Sequence, residues 1–311
     1  MEVVEVEANE YGQVFSKPSH VFNSVAFNAF NAFKCERVYY LIFKDTKIRL
    51  GIILGLRDGV LVSPFSAPYG GFQYGYEDVR LNQIDAALVA IQKWMFSNAF
   101  KEIKIVLPPI FYNVNFLTKL TSSLYRANFQ VINLDINYQF PTHKFDENYL
   151  SIVWQNAKKN IKRANNAGLI FEKLETSEGE TAYDIIAENR TQRGFPIRMT
   201  WEELKKTINL IPADFFIVKK DNVIIASAII FQVSEGIVQV VYWGDLPQFS
   251  EYKTMNFLSY EIFKYYKKIE IKVVDIGPSS ENSIPNHGLC EFKESIGCDL
   301  SPKYSFYKKI E

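Results

Sequence analysis

The chain has 311 residues, 48% of them hydrophobic and 15% aromatic, and its 35 basic and 35 acidic side chains cancel. That length predicts two domains or one large one, and the composition excludes a disordered chain. Zero net charge counts against a protein whose main partner is nucleic acid, because phosphate binding draws on a basic excess. Three cysteines (Cys35, Cys290, Cys298) without Cys-x-x-Cys spacing predict reduced thiols, and three scattered histidines (His20, His143, His287) predict no metal site. The acidic start lacks the regions of a signal peptide, and no apolar run reaches the roughly 20 residues of a membrane helix. A cytoplasmic protein without membrane insertion is expected.

In chain order, an aromatic-rich helix is predicted over 20–33, with Phe22, Phe27, Phe30 and Phe33 forming a core-facing stripe. Strands follow over 38–43, 48–56 and 60–62, then a helix over 79–98, a strand over 103–107, a helix over 111–128 and a strand over 129–134. Between strand and helix, 63–72 (SPFSAPYGGF) holds two prolines and a Tyr-Gly-Gly turn, which prescribe a shaped loop. A polar stretch over 137–148, containing Pro141, reads as a linker.

The second half opens with a basic helix ending at Gly168, then a strand over 169–174 and helices over 178–193 and 200–210. Thr200 and Glu203 form a capping box for the last of these. Strands over 215–219 and 223–233 form a hairpin around Asp221-Asn222, and 237–243 is a further strand. A helix over 254–268, a strand over 271–276, a short helix over 289–295 and a strand over 304–310 complete the chain. The two halves repeat much of one order of elements without repeating residues, which points to a duplication. The expected domains are 1–140 and 141–311.

Three stretches carry a family resemblance. They are 156–169 (NAKKNIKRANNAGL), 184–198 (DIIAENRTQRGFPIR), and Asp275-Ile-Gly with Asn286-His-Gly-Leu-x-x-Phe-Lys293. In their order, and with 63–72 in the first half, the chain resembles the FemABX-like group of tandem GNAT acyltransferases. The resemblance implies an α/β fold of mixed sheets, in which two tandem GNAT-like domains pack around an interdomain cleft. It also implies acyl transfer, with the donor entering where two central strands splay, here between 237–243 and 271–276. Unpaired amides at such a splay stabilise an oxyanion, and a donor pyrophosphate suits the N-terminus of the next helix.

Trp243, Lys253, Thr254, Met255 and Asn256 are therefore the donor-side candidates, although an aromatic at 243 also reads as space-filling. The loop 245–256 lacks the Gln/Arg-x-x-Gly-x-Gly/Ala pattern of ordinary acetyl-CoA enzymes. The donor stands open between acyl-CoA and aminoacyl-tRNA. The resemblance implies a lysine at 293 that compensates negative charge during transfer; beside Glu291 and Glu294 it also reads as a solvated, ion-paired lysine. Asp275 reads as a base, or as a turn-forming residue capping the next loop. Acceptor-side candidates are Tyr69, Gly70 and Gly71, with a tight structural turn as the alternative. Lys159 and Arg163 on the basic helix join them, against a solvated face, as do Arg193 and Arg198, because guanidinium groups fork onto phosphate or carboxylate. Asn286 and His287 belong to the loop expected over the site, and a lone loop histidine also reads as simply exposed. No serine or cysteine stands in a nucleophile motif. The expected function is an N-acyltransferase moving an acyl group from acyl-CoA to a small or nucleotide-linked amine. Its alternatives are an aminoacyl-tRNA-dependent, peptidoglycan-type transferase and a catalytically silent ligand-binding protein on the same fold.

Overall fold

Runs of β-branched and aromatic residues supply strands to two units in a computed structural model that describes residues 1–75 and 79–310. Unit 1 comprises Met1–Ile136, Ser280–Ile284 and Ser301–Glu311; unit 2 comprises Asn137–Ser279 and Pro285–Leu300.

The first half of the chain runs β1 (Glu2–Val6), α1 (Ala8–Val14), α2 (Val25–Phe30), β2 (Arg37–Lys44), β3 (Ile48–Arg57), β4 (Val60–Ser63), β5 (Gln73–Tyr74), α3 (Leu81–Ser97), β6 (Glu102–Val106), α4 (Val114–Arg126) and β7 (Gln130–Pro141). β1 is absent from the sequence reading. Its acidic alternation is explained by pairing with β2, where Glu5 meets Arg37 at 2.6 Å and Glu2 meets Lys44 at 3.6 Å. The helix expected over 20–33 breaks into short pieces, because the Asn28 amide donates to the carbonyls of Phe22 and Ser24 and so closes a turn there. Phe22 and Phe27 are buried, but Phe33 is 78% exposed, so the core stripe covers only half of its expected length. The stretch read as a linker from 137 is a strand as far as Pro141. Its polar residues are partners of a buried carboxylate described below.

The second half runs α5 (Tyr149–Ile152), α6 (Gln155–Asn166), β8 (Ile170–Leu174), α7 (Gly179–Gln192), α8 (Trp201–Ile208), β9 (Ala213–Lys220), β10 (Val223–Ser234), β11 (Ile237–Asp245), α9 (Thr254–Lys268), β12 (Val273–Pro278), β13 (Ser280–Glu281), β14 (Ile284–Pro285), α10 (His287–Ser295) and β15 (Asp299–Lys309). The capping box of α8 forms as its spacing predicts, Thr200 and Glu203 each accepting from the other's backbone N–H. Positive φ at Asp221 and Asn222 closes the β9–β10 hairpin in the hand that matches strand twist.

Within unit 1 the strand order is β1-β2-β3-β4-β6-β15; within unit 2 it is β7-β12-β11-β10-β9-β8. In each unit one neighbouring pair is parallel, β4 with β6 and β11 with β12, as a β-α-β crossover requires. The sequence reading gave the last strand to the second domain. The structure pairs Ser305–Lys309 with β6 of unit 1 instead, while β7, which follows α4, pairs with β12 of unit 2.

Candidate functional site

β11 and β12 pair only over Ile237–Gln239 and Val273–Asp275. One irregularity on the far side of each strand then parts them. On β11 the register against β10 jumps from Val240 to Tyr242, leaving Val241 over. On β12 the register against β7 jumps from Asp275 to Gly277, leaving Ile276 over. An extra residue bends its strand and increases the local twist. Beyond it, β11 stays paired to β10 as far as Asp245, and β12 stays paired to β7 as far as Pro278. The β11–β12 ladder is thus open at the C-terminal ends of two parallel strands, inside unit 2.

Asp275 anchors this divergence. It is fully buried and accepts from Asn137 Nδ2 at 2.8 Å, Gln239 Nε2 at 2.9 Å and the Gly277 amide at 3.0 Å. A carboxylate can be buried only with such partners. The Gly277 bond is the turn-forming contact that the sequence allowed, and it sits beside the left-handed φ of +76° that makes glycine fit there.

Lys293, on α10, is 2% exposed, so the reading of a solvated lysine paired with Glu291 or Glu294 is overturned. Its Nζ donates to the carbonyls of Ile276, Gly277 and Pro278 at 3.2, 2.8 and 3.1 Å, at and just beyond the β12 irregularity. An ammonium has three donors, and all three are used. The Tyr138 ring lies 5.4 Å from Nζ, while the Tyr138 hydroxyl donates to Glu294 at 2.8 Å. Burial pushes the Lys293 pKa down to about 8, with Cys298, Asp275 and Cys290 nearby holding it up.

Trp243 is half-buried on β11 and meets Phe292 of α10 edge-on, ring centres 6.0 Å apart. Tyr242 and Gly244 take the other face, where a Cβ on Gly244 would lie 2.7 Å from Asn189 Oδ1. Asp245 ends the strand. Burial raises its pKa, and Arg193, whose Nη2 donates to it at 3.1 Å, together with Lys253 draws it back. The sequence reading missed this carboxylate; the signal for it was an acid directly after a glycine at a strand end.

Lys253 and Met255 are half-buried and Thr254 and Asn256 are buried, at the start of α9. Lys253 is left-handed at φ +56° and supplies no side-chain cap, and the Thr254 hydroxyl is buried without a protein partner. Asn256 accepts from Asn160 of α6 at 3.0 Å. The acceptor-side residues are scattered. Tyr69, Gly70 and Gly71 are buried in unit 1, with the Tyr69 hydroxyl bonded to Tyr112, which is the packing of a structural turn. Lys159 and Arg163 are exposed on α6, and Arg193 is held by Asp245. Arg198 is exposed in the segment whose backbone meets Tyr242. Asn286 is the N-cap of α10, accepting from the Leu289 amide at 3.0 Å, and His287 follows it, exposed. Among the described residues no three His, Cys, Asp or Glu side chains converge as metal ligands.

No protein-family model matches the chain, and no curated protein matches its sequence. Among solved structures, FemX superposes with a TM-score of 0.72, covering 100% of this chain and 98% of its own at 12% identity. The chain has the FemX-like, tandem GNAT fold. A tandem GNAT protein from the clavulanic acid biosynthesis pathway gives 0.54 at 9% identity, over 99% of this chain and 98% of that one. The L-PGS of Bacillus licheniformis gives 0.57 at 13%, over 99% and 93%. At such identities the likeness is one of fold, and the site's chemistry is argued from its own residues.

Proposed function

We propose that the protein is an acyltransferase that moves an activated acyl group onto an amine, with the acyl end held in the β11–β12 gap of unit 2. The observation that carries this reading is the parting of two parallel strands after three paired residues. Backbone amides of β11 freed there suit the oxygen of a carbonyl under attack. Lys293 places a positive charge behind the same strand ends, through the carbonyls it holds, and Trp243 with Phe292 walls the gap against water. In the transfer, the amine nitrogen bonds to the carbonyl carbon, the bond to the leaving sulfur or oxygen breaks, and the amine's proton passes to a base. Asp245 is the carboxylate at the open end of β11, and its raised pKa suits proton acceptance. Asp275, with three donors already bound, acts by positioning β12. Arg198 is the acceptor-side cation beside Tyr242.

The preferred donor is an acyl-CoA. The start of α9 lacks a side-chain cap and carries Lys253, an arrangement that suits a pyrophosphate. A second reading, an aminoacyl ester of tRNA, is favoured by the preceding turn Pro247–Tyr252, where a glycine-rich phosphate loop is replaced by a 3-10 helix. Calorimetric titration with acetyl-CoA and a longer acyl-CoA separates the two. Saturable binding that weakens about tenfold in Lys253→Ala supports the thioester; a tenfold loss corresponds to about 1.4 kcal/mol. Asp245→Asn is expected to bind the donor normally and to transfer on the order of a hundredfold more slowly. Absence of thioester binding, with transfer from charged tRNA, selects the second reading.

A further inference from the structure

Between Glu147 and Glu172 the chain carries Lys158, Lys159, Lys162 and Arg163 and no acidic residue, although its charges balance overall. α6 turns Ala157, Ile161 and Ala164 inward, and all three are buried. The four cations are exposed, and a period of 3.6 residues puts them on the opposite face, Lys158 with Lys162 and Lys159 with Arg163. Among the described residues none of them has an ion-pair partner. Like charges four apart repel, so this face is relieved by an approaching anion.

Immediately before it, Leu150, Ile152 and Trp154 are 37%, 45% and 46% exposed, while Tyr149 and Val153 between and beside them are buried. Trp154 is the N-cap of α6, so the exposed apolar residues join the basic face without a spacer. Isolated exposed apolar side chains are ordinary. Three within five residues, leading directly into a helix face of unpaired cations, make this stretch of chain amphiphilic.

We propose that 150–163 docks on an anionic lipid bilayer, with Leu150, Ile152 and Trp154 entering the headgroup boundary and the four cations lying over acidic headgroups. This goes beyond the acyl-transfer reading and does not depend on it. A bilayer suits exposed apolar side chains as well as cations. RNA would use the cations and stack on Trp154, but would leave Leu150 and Ile152 in water. No helix among the described residues is long and apolar enough to cross a membrane, so the contact is peripheral.

The test is co-sedimentation of the intact protein with vesicles of phosphatidylcholine alone and of phosphatidylcholine with phosphatidylglycerol, in low and high salt. Binding is expected only to the anionic vesicles and is weakened by salt. Lys158→Gln with Lys162→Gln should weaken it roughly 25-fold, about fivefold for each cation. Leu150→Ser, Ile152→Ser and Trp154→Ser together should abolish it while circular dichroism and melting stay unchanged. Three outcomes overturn the proposal. They are no binding to anionic vesicles by the folded protein, vesicle binding unchanged in the triple serine variant, and tight binding of a tRNA-sized RNA, lost in the glutamine variant, without vesicle binding. The last would make this an RNA-docking face.

Discussion

Two crossovers of the same order, β4–α3–β6 and β11–α9–β12, end differently. In unit 1 all four residues of β4 pair with β6, and the loop that follows folds back over the strand ends. Gly70 donates to the Val106 carbonyl at 2.8 Å, Ser63 Oγ accepts from the Gly71 amide at 3.0 Å, and Phe65, Tyr69 and Phe72 are buried. In unit 2 pairing stops after three residues, an extra residue sits on the outer side of each strand, and the next segment leads away into α9. A splayed pair is therefore not dictated by the crossover. It coincides with irregularities on the outer side of both strands, which unit 1 does not show between β4 and β6.

Substitutions can break each half of that contrast. The largest effect is expected from Asp275→Leu, which takes the shared acceptor from the buried Asn137, Gln239 and Gly277 donors. It should cost on the order of 4 kcal/mol in urea unfolding. A loss below about 1 kcal/mol, the ordinary value of one hydrogen bond, would show that the polar centre does not hold β12.

Lys293→Met comes next and is read against pH. The folded-state pKa of Lys293 is about 8, below the ordinary 10.5, so native protein releases this proton before unfolded protein does. Its linkage stabilisation is full above pH 10.5 and is lost as pH falls through 8. Between pH 7 and 11 the stability of wild type relative to Lys293→Met should rise by about 3 kcal/mol. A flat difference across that window would refute the buried ammonium.

In unit 1, Gly71→Ala combines a φ of +87° with a Cβ 2.8 Å from Leu107 Cδ2. It should destabilise by roughly 2 kcal/mol while donor titrations stay unchanged. Gly244→Ala, pressing on Asn189 behind β11, should weaken donor binding more than it lowers the melting temperature.

An effect no larger than that at Gly71 belongs to His20, buried against the Tyr69 ring, with neither ring nitrogen bonded to protein. Burial lowers its pKa to about 3. The stability this gives is complete above pH 6.5 and is lost as pH falls toward 3. Between pH 7 and 5 wild type should lose about 2 kcal/mol more than His20→Phe, measured by urea melts at both values.

Elements fixed by local chemistry were legible in the sequence. The α8 capping box, the Asp221-Asn222 hairpin and the β11–α9–β12 order follow from spacing and turn residues. What sequence reasoning misread depends on partners far along the chain. Asn137 and Gln139 look like linker residues until Asp275, with which Asn137 bonds and Gln139 pairs in register, is placed beside them. Lys293 looks solvated until β12 turns three carbonyls toward it. The loop 63–72 shows its fixed shape through its prolines, but only packing shows that Tyr69 is 1% exposed.

The placement of β7 and β15 has a consequence for how the chain matures. β6 finds its outer neighbour only in Ser305–Lys309, about two hundred positions later in the chain. A break after Ile136 leaves β6 with a bare, adhesive edge in one fragment, whereas the other keeps Asn137–Pro141, the whole stretch that pairs with β12. The first piece lacks a strand that only the second supplies, while the second holds unit 2 entire, so mixing the two should restore structure to the first. On the ribosome the same wiring delays completion of the N-terminal sheet until Ser305–Lys309 emerge. The half that is synthesised first is finished last.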